Sequence, residues 1–341
     1  MVLATVALFW FTHRGGGGDT GDEGGGADTT ATSLPTSDPL TDSQLLVAAG
    51  VDQNHQHLWL LDADDPETAI QVTRGSTREW IPALSPDRRT VLFARLASGD
   101  KTPQLMVAGA ADGSGARPFF PEGPPEECAG KVLRPAWFAD GHGLVLPCTD
   151  RGGRAHLVVV DLDGRLTDRL DPTPEVGALA TIGDPTLSSD GSTVVVWANA
   201  DAPAAGGSLY RVDVESGGWA LVRAGTGEEY SDAVFSEDGQ LLAFRRDVGA
   251  GNYQVVVARV DESAGDGSGL GDDTVVADDP GKDQDPMFSP DSSEVVYGHV
   301  NPEENTLAEE LRVVGVDGGA ARTLPPPPGL DYLSVPAWSR R

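Results

Sequence analysis

Lysine is almost absent from this sequence: Lys101, Lys131 and Lys282 are the three lysines among 24 basic residues, against 53 acidic ones. The resulting formal net charge of −29 gives a surface that repels phosphate groups. This charge excludes nucleic acid as a partner and argues against docking on anionic lipid. Cations, or basic groups on a protein or peptide, are the natural partners of such a surface.

Long apolar runs are also missing, apart from the first residues. Residues 1–11 (MVLATVALFWF) are apolar except for Thr5, but a helix that spans a bilayer needs about 20 residues. Neither a basic segment before this run nor an A-x-A cleavage site after it is present. We interpret residues 1–12 as a hydrophobic N-terminal segment, either the second half of a membrane anchor or a signal. Both alternatives predict an extracytoplasmic protein that meets the membrane only through this segment.

Residues 13–43 contain few apolar side chains and are rich in glycine, aspartate and threonine. A segment of this composition cannot bury enough apolar surface to offset the entropy that it would lose on ordering. The sequence therefore predicts a disordered linker over residues 13–43 and a folded domain over residues 44–341.

Recognisable catalytic motifs are missing as well. The sequence has no G-x-S-x-G and no H-E-x-x-H, and its two cysteines lack the spacing of zinc ligands. These absences predict no catalytic residues, no metal and no cofactor. The two cysteines, Cys128 and Cys148, fit a disulfide in an oxidising compartment. A hairpin turning at Asp140 and Gly141 would bring them within bonding range.

What the sequence does have is a repeat of about 50 residues. Each unit contains a turn of the form S-x-D-G, or a variant of it, followed by β-branched residues, which predicts two strands around a tight turn. A second motif, such as LVVVDLDG from Leu157, predicts two further strands. The strand-opening positions of the six units are Pro82, Pro135, Pro185, Ala233, Pro286 and Pro336. Four strands in a unit of this length are typical of a β-propeller blade.

The first and last units complete each other. The C-terminal VPAWS supplies one strand with nothing after it, whereas residues 44–73 supply three strands with none before them. We therefore predict an all-β fold: a six-bladed β-propeller with a composite blade closed by N- and C-terminal strands, joining residues 335–339 to residues 45–73. Such a closure leaves no open radial edge.

Two segments, PALSPDRRTVLF from Pro82 and PMFSPDSSEVVY from Pro286, come closest to the pattern x-P-x-[WF]-S-P-D-G-x-x-[VIL]-x-[FYW]. This pattern resembles the PD40, or WD40-like, repeat of TolB-like propellers, and the resemblance spans residues 44–341. It implies a propeller fold and, by analogy with TolB, a periplasmic protein-binding role in the cell envelope. No segment of this sequence resembles the N-terminal α/β domain of TolB.

One position of the repeat carries an acidic pattern. The residue before the strand-opening position is Asp184, Asp232 and Asp285 in three consecutive units, and Arg134 in the unit before them. Because these positions cluster at one mouth of a propeller channel, we predict an acidic ligand-binding funnel there, opposed by Arg134. The neighbouring loops add the aromatic residues Trp80, Tyr230 and Tyr332. The alternative is that aspartate in this position only caps its own loop.

The sequence favours a non-catalytic propeller that binds a protein, a peptide or a cell-envelope component, and basic groups on a protein or peptide would match its acidic surface. Two alternatives remain open. One is an enzyme of the polysaccharide lyase or glycosidase type, whose site at the channel mouth requires carboxylates beside a basic group. The other is an accessory or sensor domain of a larger membrane protein.

Overall fold

The computed structural model describes residues 33–339, except residues 53, 66, 129–133, 175, 178, 201–205, 262, 264–267 and 302–309. Within this part of the chain, the regular structure is β-strand, apart from the short 3-10 helix Glu126–Cys128. No helix in the described part is long and apolar enough to cross a membrane. The predicted segment over residues 1–12 lies outside the described residues.

Four sheets among the described residues contain four strands each. The first has the order β24 (Tyr332–Ala337), β1 (Gln44–Gly50), β2 (Gln56–Asp62), β3 (Ala69–Gln71). The second has the order β4 (Arg78–Leu84), β5 (Thr90–Leu96), β6 (Gln104–Gly109), β7 (Arg117–Pro118). The third has the order β8 (Ala136–Trp137), β9 (Gly143–Thr149), β10 (Ala155–Asp161), β11 (Leu166–Leu170). The fourth has the order β12 (Leu179–Leu187), β13 (Thr193–Ala200), β14 (Ser208–Asp213), β15 (Trp219–Arg223).

A fifth sheet contains eight strands. Its first group is β16 (Glu229–Phe235), β17 (Leu241–Asp247), β18 (Tyr253–Val260), β19 (Leu270–Ala277). Its second group is β20 (Lys282–Phe288), β21 (Glu294–Val300), β22 (Glu310–Gly315), β23 (Arg322–Leu324). Each group is antiparallel, and one parallel pair, Tyr253 with Lys282, joins the two. The sequence predicts six separate four-stranded sheets, whereas the structure has five sheets among its described residues. The difference arises because the first residue of β20 pairs with the first residue of β18.

Apolar side chains fill the spaces between neighbouring sheets. One core cluster combines Leu58 of the first sheet with Phe93 of the second, and others follow between successive sheets along the chain. The last cluster combines Val234 of the eight-stranded sheet with Leu45 of the first sheet. The sheets therefore pack in chain order and return to the first one, which closes a ring.

Each S-x-D turn between the first two strands of a sheet is fixed by its own side chains. In the fourth sheet, Ser188 Oγ donates to Asp190 Oδ1 at 2.6 Å, and the N–H of Ser192 donates to the same oxygen at 3.0 Å. Gly191 adopts a φ of 72°, which glycine accepts without steric strain. The same serine–aspartate bond recurs at Ser85, Ser236 and Ser289. The repeated motif is therefore a self-contained turn that starts the second strand.

The two ends of the described chain meet in the first sheet. Strand β24 pairs with β1, placing Ala337 opposite Leu46 and Ser334 opposite Ala48. Just after β24, Trp338 is 3% exposed, and its indole N–H donates to the carbonyl of Asp42 at 2.7 Å. This is the pairing that the split repeat predicts.

Residues 33–43 differ from the predicted linker, because they pack on the sheets. Leu40 is buried in the core between the first two sheets. The guanidinium group of Arg88, in the turn after β4, donates to the carbonyls of Leu40, Thr41, Gln44 and Trp338. A few apolar residues and one arginine are enough to order this segment. The linker stays a prediction for residues 13–32, which lie outside the described residues.

The two cysteines form a disulfide. Cys128 ends the 3-10 helix and Cys148 lies in β9, with their Cα atoms 4.7 Å apart across 20 residues of sequence. Both side chains are buried in the core cluster between the second and third sheets, which also contains Trp137 and Leu146. The bond therefore ties the segment before β8 to the second strand of its own sheet.

We expect the double variant Cys128→Ser, Cys148→Ser to lose about 3 kcal/mol of unfolding free energy, since a closed loop of this length restricts the unfolded chain by about that amount. Thermal unfolding with and without reductant measures the loss. The reduced unmodified protein should have the same Tm as the double variant, and the oxidised unmodified protein should have a clearly higher Tm. Coincident melting curves under both conditions would contradict the disulfide.

Candidate functional site

Five residues at the same position of the repeat have a left-handed backbone. Each lies at a break in the register of the first strand of its unit, where a β-bulge redirects the side chain. These bulge positions are Ile81 (φ 50°), Asp184 (φ 46°), Asp232 (φ 53°), Asp285 (φ 51°) and Val335 (φ 50°). Arg134 occupies the same position of the repeat in the third sheet.

The backbone at the bulge positions does not require aspartate. Aspartate tolerates a positive φ, but the β-branched side chains of Ile81 and Val335 adopt the same conformation against their preference. Moreover, Asp184 Oδ2 accepts a hydrogen bond at 2.8 Å from Trp197 Nε1, a side chain on the next strand. Loop capping alone therefore does not account for the three aspartates.

Two arginines face these aspartates. Arg134 Nη2 lies 3.7 Å from Asp285 Oδ1, and Arg245 Nε lies 3.6 Å from Asp232 Oδ2. The guanidinium group of Arg245 also stacks on the ring of Tyr253, 4.5 Å from its centroid. We call Asp184, Asp232, Asp285, Arg134 and Arg245 the bulge cluster.

The carboxylates of the bulge cluster influence one another through space. Burial raises the pKa of Asp285 to about 7, and repulsion from Asp232 and Asp184 adds to the rise. The pKa of Asp184 is raised by burial and by repulsion from Asp232. Attraction from Arg134 and Arg245 opposes both rises. The structure therefore brings together the three aspartates and the arginine that the sequence singled out.

The three predicted aromatic residues differ in their surroundings. Tyr230 is 8% exposed and packs in the core against Phe244, with ring centroids 6.0 Å apart, so it is not the mouth residue that we predicted. Successive side chains of a strand point to opposite faces, so Tyr230 and its neighbour Ser231 lie on different faces of β16. The ring of Tyr230 therefore lies between the sheets. Trp80 holds the guanidinium group of Arg78 4.5 Å from its ring centroid. Tyr332 begins β24 opposite Gly50.

Sequence reasoning missed Arg245 and Trp197. Both lie on the second strand of a unit, where Arg245 pairs with Ser231, next to Asp232, and Trp197 pairs with Gly183, next to Asp184. The register of the predicted hairpins could have identified them. In the described part of the chain, no group of three or more His, Cys, Asp or Glu side chains is arranged to hold a metal ion.

Solved structures with a similar arrangement include two TolB proteins. TolB from Acinetobacter baumannii has a TM-score of 0.66 and 17% identity, covering 88% of this chain and 67% of that one. TolB from Agrobacterium tumefaciens has a TM-score of 0.57 and 17% identity, covering 83% of this chain and 88% of that one. This chain has the fold of a TolB-like propeller. The prediction of an all-β propeller of this type is thereby confirmed, although no protein-family model and no curated protein matches the sequence.

The TolB-like propeller fold is also found in enzymes. An oligogalacturonate lyase in complex with manganese has a TM-score of 0.52 and 18% identity, covering 82% of this chain and 73% of that one. The prediction that this chain is not an enzyme is corrected by this finding. Missing sequence motifs do not exclude catalysis on a propeller, because such a site is assembled from side chains of separate blades.

Proposed function

We propose that this TolB-like propeller binds cationic groups of a protein, a peptide or a cell-envelope component at the bulge cluster. The observation that carries the proposal is the placement of three carboxylates at one repeat position of neighbouring units. Their mutual repulsion and burial disfavour the folded state, and a cost of this kind is typical of a functional site. Several carboxylates in a narrow opening focus a potential that attracts cations.

We infer six blades around a channel. The groups β16–β19 and β20–β23 each have the strand number and antiparallel order of a four-stranded sheet, and one residue pair links them. In a six-bladed ring, Arg134 in the third blade and Asp285 in the sixth lie on opposite sides of the axis. The distance of 3.7 Å between them supports a position of the bulge cluster inside the channel.

We also propose an extracytoplasmic location. The disulfide between Cys128 and Cys148 supports it, since such bonds persist in oxidising compartments. The apolar residues 1–12 would supply the signal or the membrane anchor, and residues 13–32 the spacer.

The triple variant Asp184→Asn, Asp232→Asn, Asp285→Asn tests the binding proposal. Asparagine keeps the size of aspartate and also tolerates a positive φ, so the bulges should persist while the charge is lost. With a tetralysine peptide as the probe, we expect at least tenfold weaker binding and a weaker dependence of affinity on salt, measured by calorimetry.

A matched control removes three exposed carboxylates outside the cluster: Asp64→Asn, Glu122→Gln, Glu215→Gln. This variant has the same net charge as the triple aspartate variant and should bind the peptide like the unmodified protein. Equal weakening in both variants would show that net charge alone attracts the peptide. No binding to the unmodified protein at low salt would also count against the proposal.

An enzyme at the same place is a second candidate, because the bulge cluster sets carboxylates beside guanidinium groups, an arrangement that catalysis on acidic sugar chains can use. Incubation with oligogalacturonate, followed by the ultraviolet absorbance of unsaturated sugar ends, tests this candidate. Product that forms with the unmodified protein and not with Asp285→Asn would favour it, and an absence of product would exclude this substrate.

A further inference from the structure

Arg134 is buried, and the part of the chain that the structure describes does not supply all the acceptors that its guanidinium group requires. Its side chain is 2% exposed, and within the described residues neither Nε nor Nη1 has a hydrogen-bond partner. The third nitrogen, Nη2, lies 3.7 Å from Asp285 Oδ1, whereas a charge-assisted hydrogen bond measures about 2.8 Å. Because unpartnered buried donors destabilise a folded protein, these nitrogens indicate a ligand that supplies oxygen acceptors.

The carboxylates of the bulge cluster have the complementary requirement. Asp184 and Asp285 are close enough to Asp232 to be repelled by it. A cation placed among the three would relieve this repulsion. The cluster thus offers donors for an anion directly beside acceptors for a cation, at the contact between Arg134 and Asp285.

The remaining bulge positions are apolar. Ile81 and Val335 are half-buried and occupy the two units that separate Asp285 from Arg134 on the other side of the ring. A ligand held between the charged groups would therefore meet aliphatic carbon on its uncharged side. This division favours a small ligand that carries both charges at one end.

We propose that the bulge cluster binds an α-amino carboxylate, with the carboxylate on Arg134 and the ammonium group among Asp184, Asp232 and Asp285. This inference rests on the proposed cation-binding function and adds the anionic half of the ligand. Both charges of an α-amino carboxylate are attached to one carbon, which matches donors and acceptors that lie side by side. A ligand with only one of the two charges would leave half of the cluster unpaired.

Two sources present this group: free amino acids, and peptides whose side chain ends in an α-amino carboxylate, as diaminopimelate does in cell-wall peptides. The recognising chemistry is the same for both. L-alanine serves as the probe for the first source and the tripeptide L-alanyl-γ-D-glutamyl-meso-diaminopimelate for the second. Tighter binding of the tripeptide would assign the site to the cell wall, and tighter binding of alanine to free amino acids.

Calorimetry on the unmodified full chain compares L-alanine with two single-charge analogues. L-alaninamide keeps the ammonium group and lacks the carboxylate, whereas propionate keeps the carboxylate and lacks the ammonium group. We expect at least tenfold weaker binding of each analogue than of L-alanine or the tripeptide. If alaninamide binds as tightly as both zwitterions, the inference fails while cation binding survives. If propionate alone binds, both proposals fail, and if neither zwitterion binds, the inference fails.

The variant Arg134→Gln should lose the preference for L-alanine or the tripeptide over the single-charge analogue alaninamide. Arg165→Gln is the matched control, because Arg165 is exposed in the turn after β10, where it pairs with Asp163. The control should keep the full preference. Since the analogues are compared on the unmodified protein, the test holds even if Arg134→Gln fails to fold. Retained preference in a folded Arg134→Gln protein would overturn the assignment of the carboxylate to Arg134.

Discussion

Deletion of residues 334–341 is expected to unfold the ring and not only the first sheet. The deletion removes most of β24, the neighbour of β1, and with it the buried side chains of Ala337 and Trp338. Loss of one buried tryptophan costs about 3–5 kcal/mol, and total stabilities are only about 5–15 kcal/mol. Because the core clusters close on the first sheet, its loss also exposes the apolar faces of the sheets on both sides.

Circular dichroism and thermal unfolding measure this effect. We expect either no cooperative transition or a fall in Tm on the order of 10–20 °C. A deletion of residues 340–341 alone controls for the loss of two C-terminal arginines and should melt like the full chain. A synthetic peptide of residues 334–341 should restore part of the transition in the truncated protein. A truncated protein that melts with the full chain would refute the closure.

Replacement of Asp285 by asparagine is expected to stabilise the protein at pH 8. The pKa of Asp285 is raised to about 7 in the folded state, so the folded protein holds this proton more strongly than the unfolded chain does. Its contribution to stability is complete below about pH 4 and is lost as the pH rises through about 7. Since a tenfold change in proton affinity corresponds to about 1.4 kcal/mol, the ionised carboxylate costs the fold up to about 4 kcal/mol at pH 8.

Tm measured between pH 4 and pH 8 tests this prediction. The gain from Asp285→Asn should be largest at pH 8 and should shrink towards pH 4, where the natural carboxyl is neutral as well. Asp190→Asn is the control of opposite sign, because hydrogen bonds from Ser188 and Ser192 lower the pKa of Asp190. That variant should destabilise the protein at pH 8. Destabilisation of the same size by Asp285→Asn would mean that this aspartate supports its loop and is not a binding group.

The sequence predicts the local structure well because the residues that determine each turn lie within the same repeat. The serine and aspartate of the S-x-D turns bond to each other, so a motif of four letters determines a turn without help from distant residues. The pairing of β24 with β1 is also predictable from the repeat. The last unit has only a first strand and the first unit lacks one, so the two complete one sheet. The shared position of the three aspartates is a further consequence of the repeat.

Features that depend on contacts between repeats were not predictable. The Tyr253–Lys282 pair that merges two groups of strands joins residues of different units. The packing of residues 33–43 depends on Arg88, whose guanidinium group donates to carbonyls near both ends of the described chain. In the same way, the approach of Arg134 to Asp285 joins residues of different units. A pattern within one repeat does not determine contacts between residues of different repeats. The contact of Arg245 with Asp232 is different, because both residues belong to one hairpin and its register could have predicted the contact.

The shared backbone of the bulge positions has an evolutionary consequence. Aspartate, isoleucine and valine adopt nearly the same φ there, between 46° and 53°, so the scaffold accepts different side chains without rebuilding the strands. Selection can therefore exchange the side chains at the bulge positions one substitution at a time, while the cores between the sheets stay intact. A lineage of such propellers could therefore change its ligand faster than its fold. The residues at the bulge positions would vary, whereas the turn residues would stay the same.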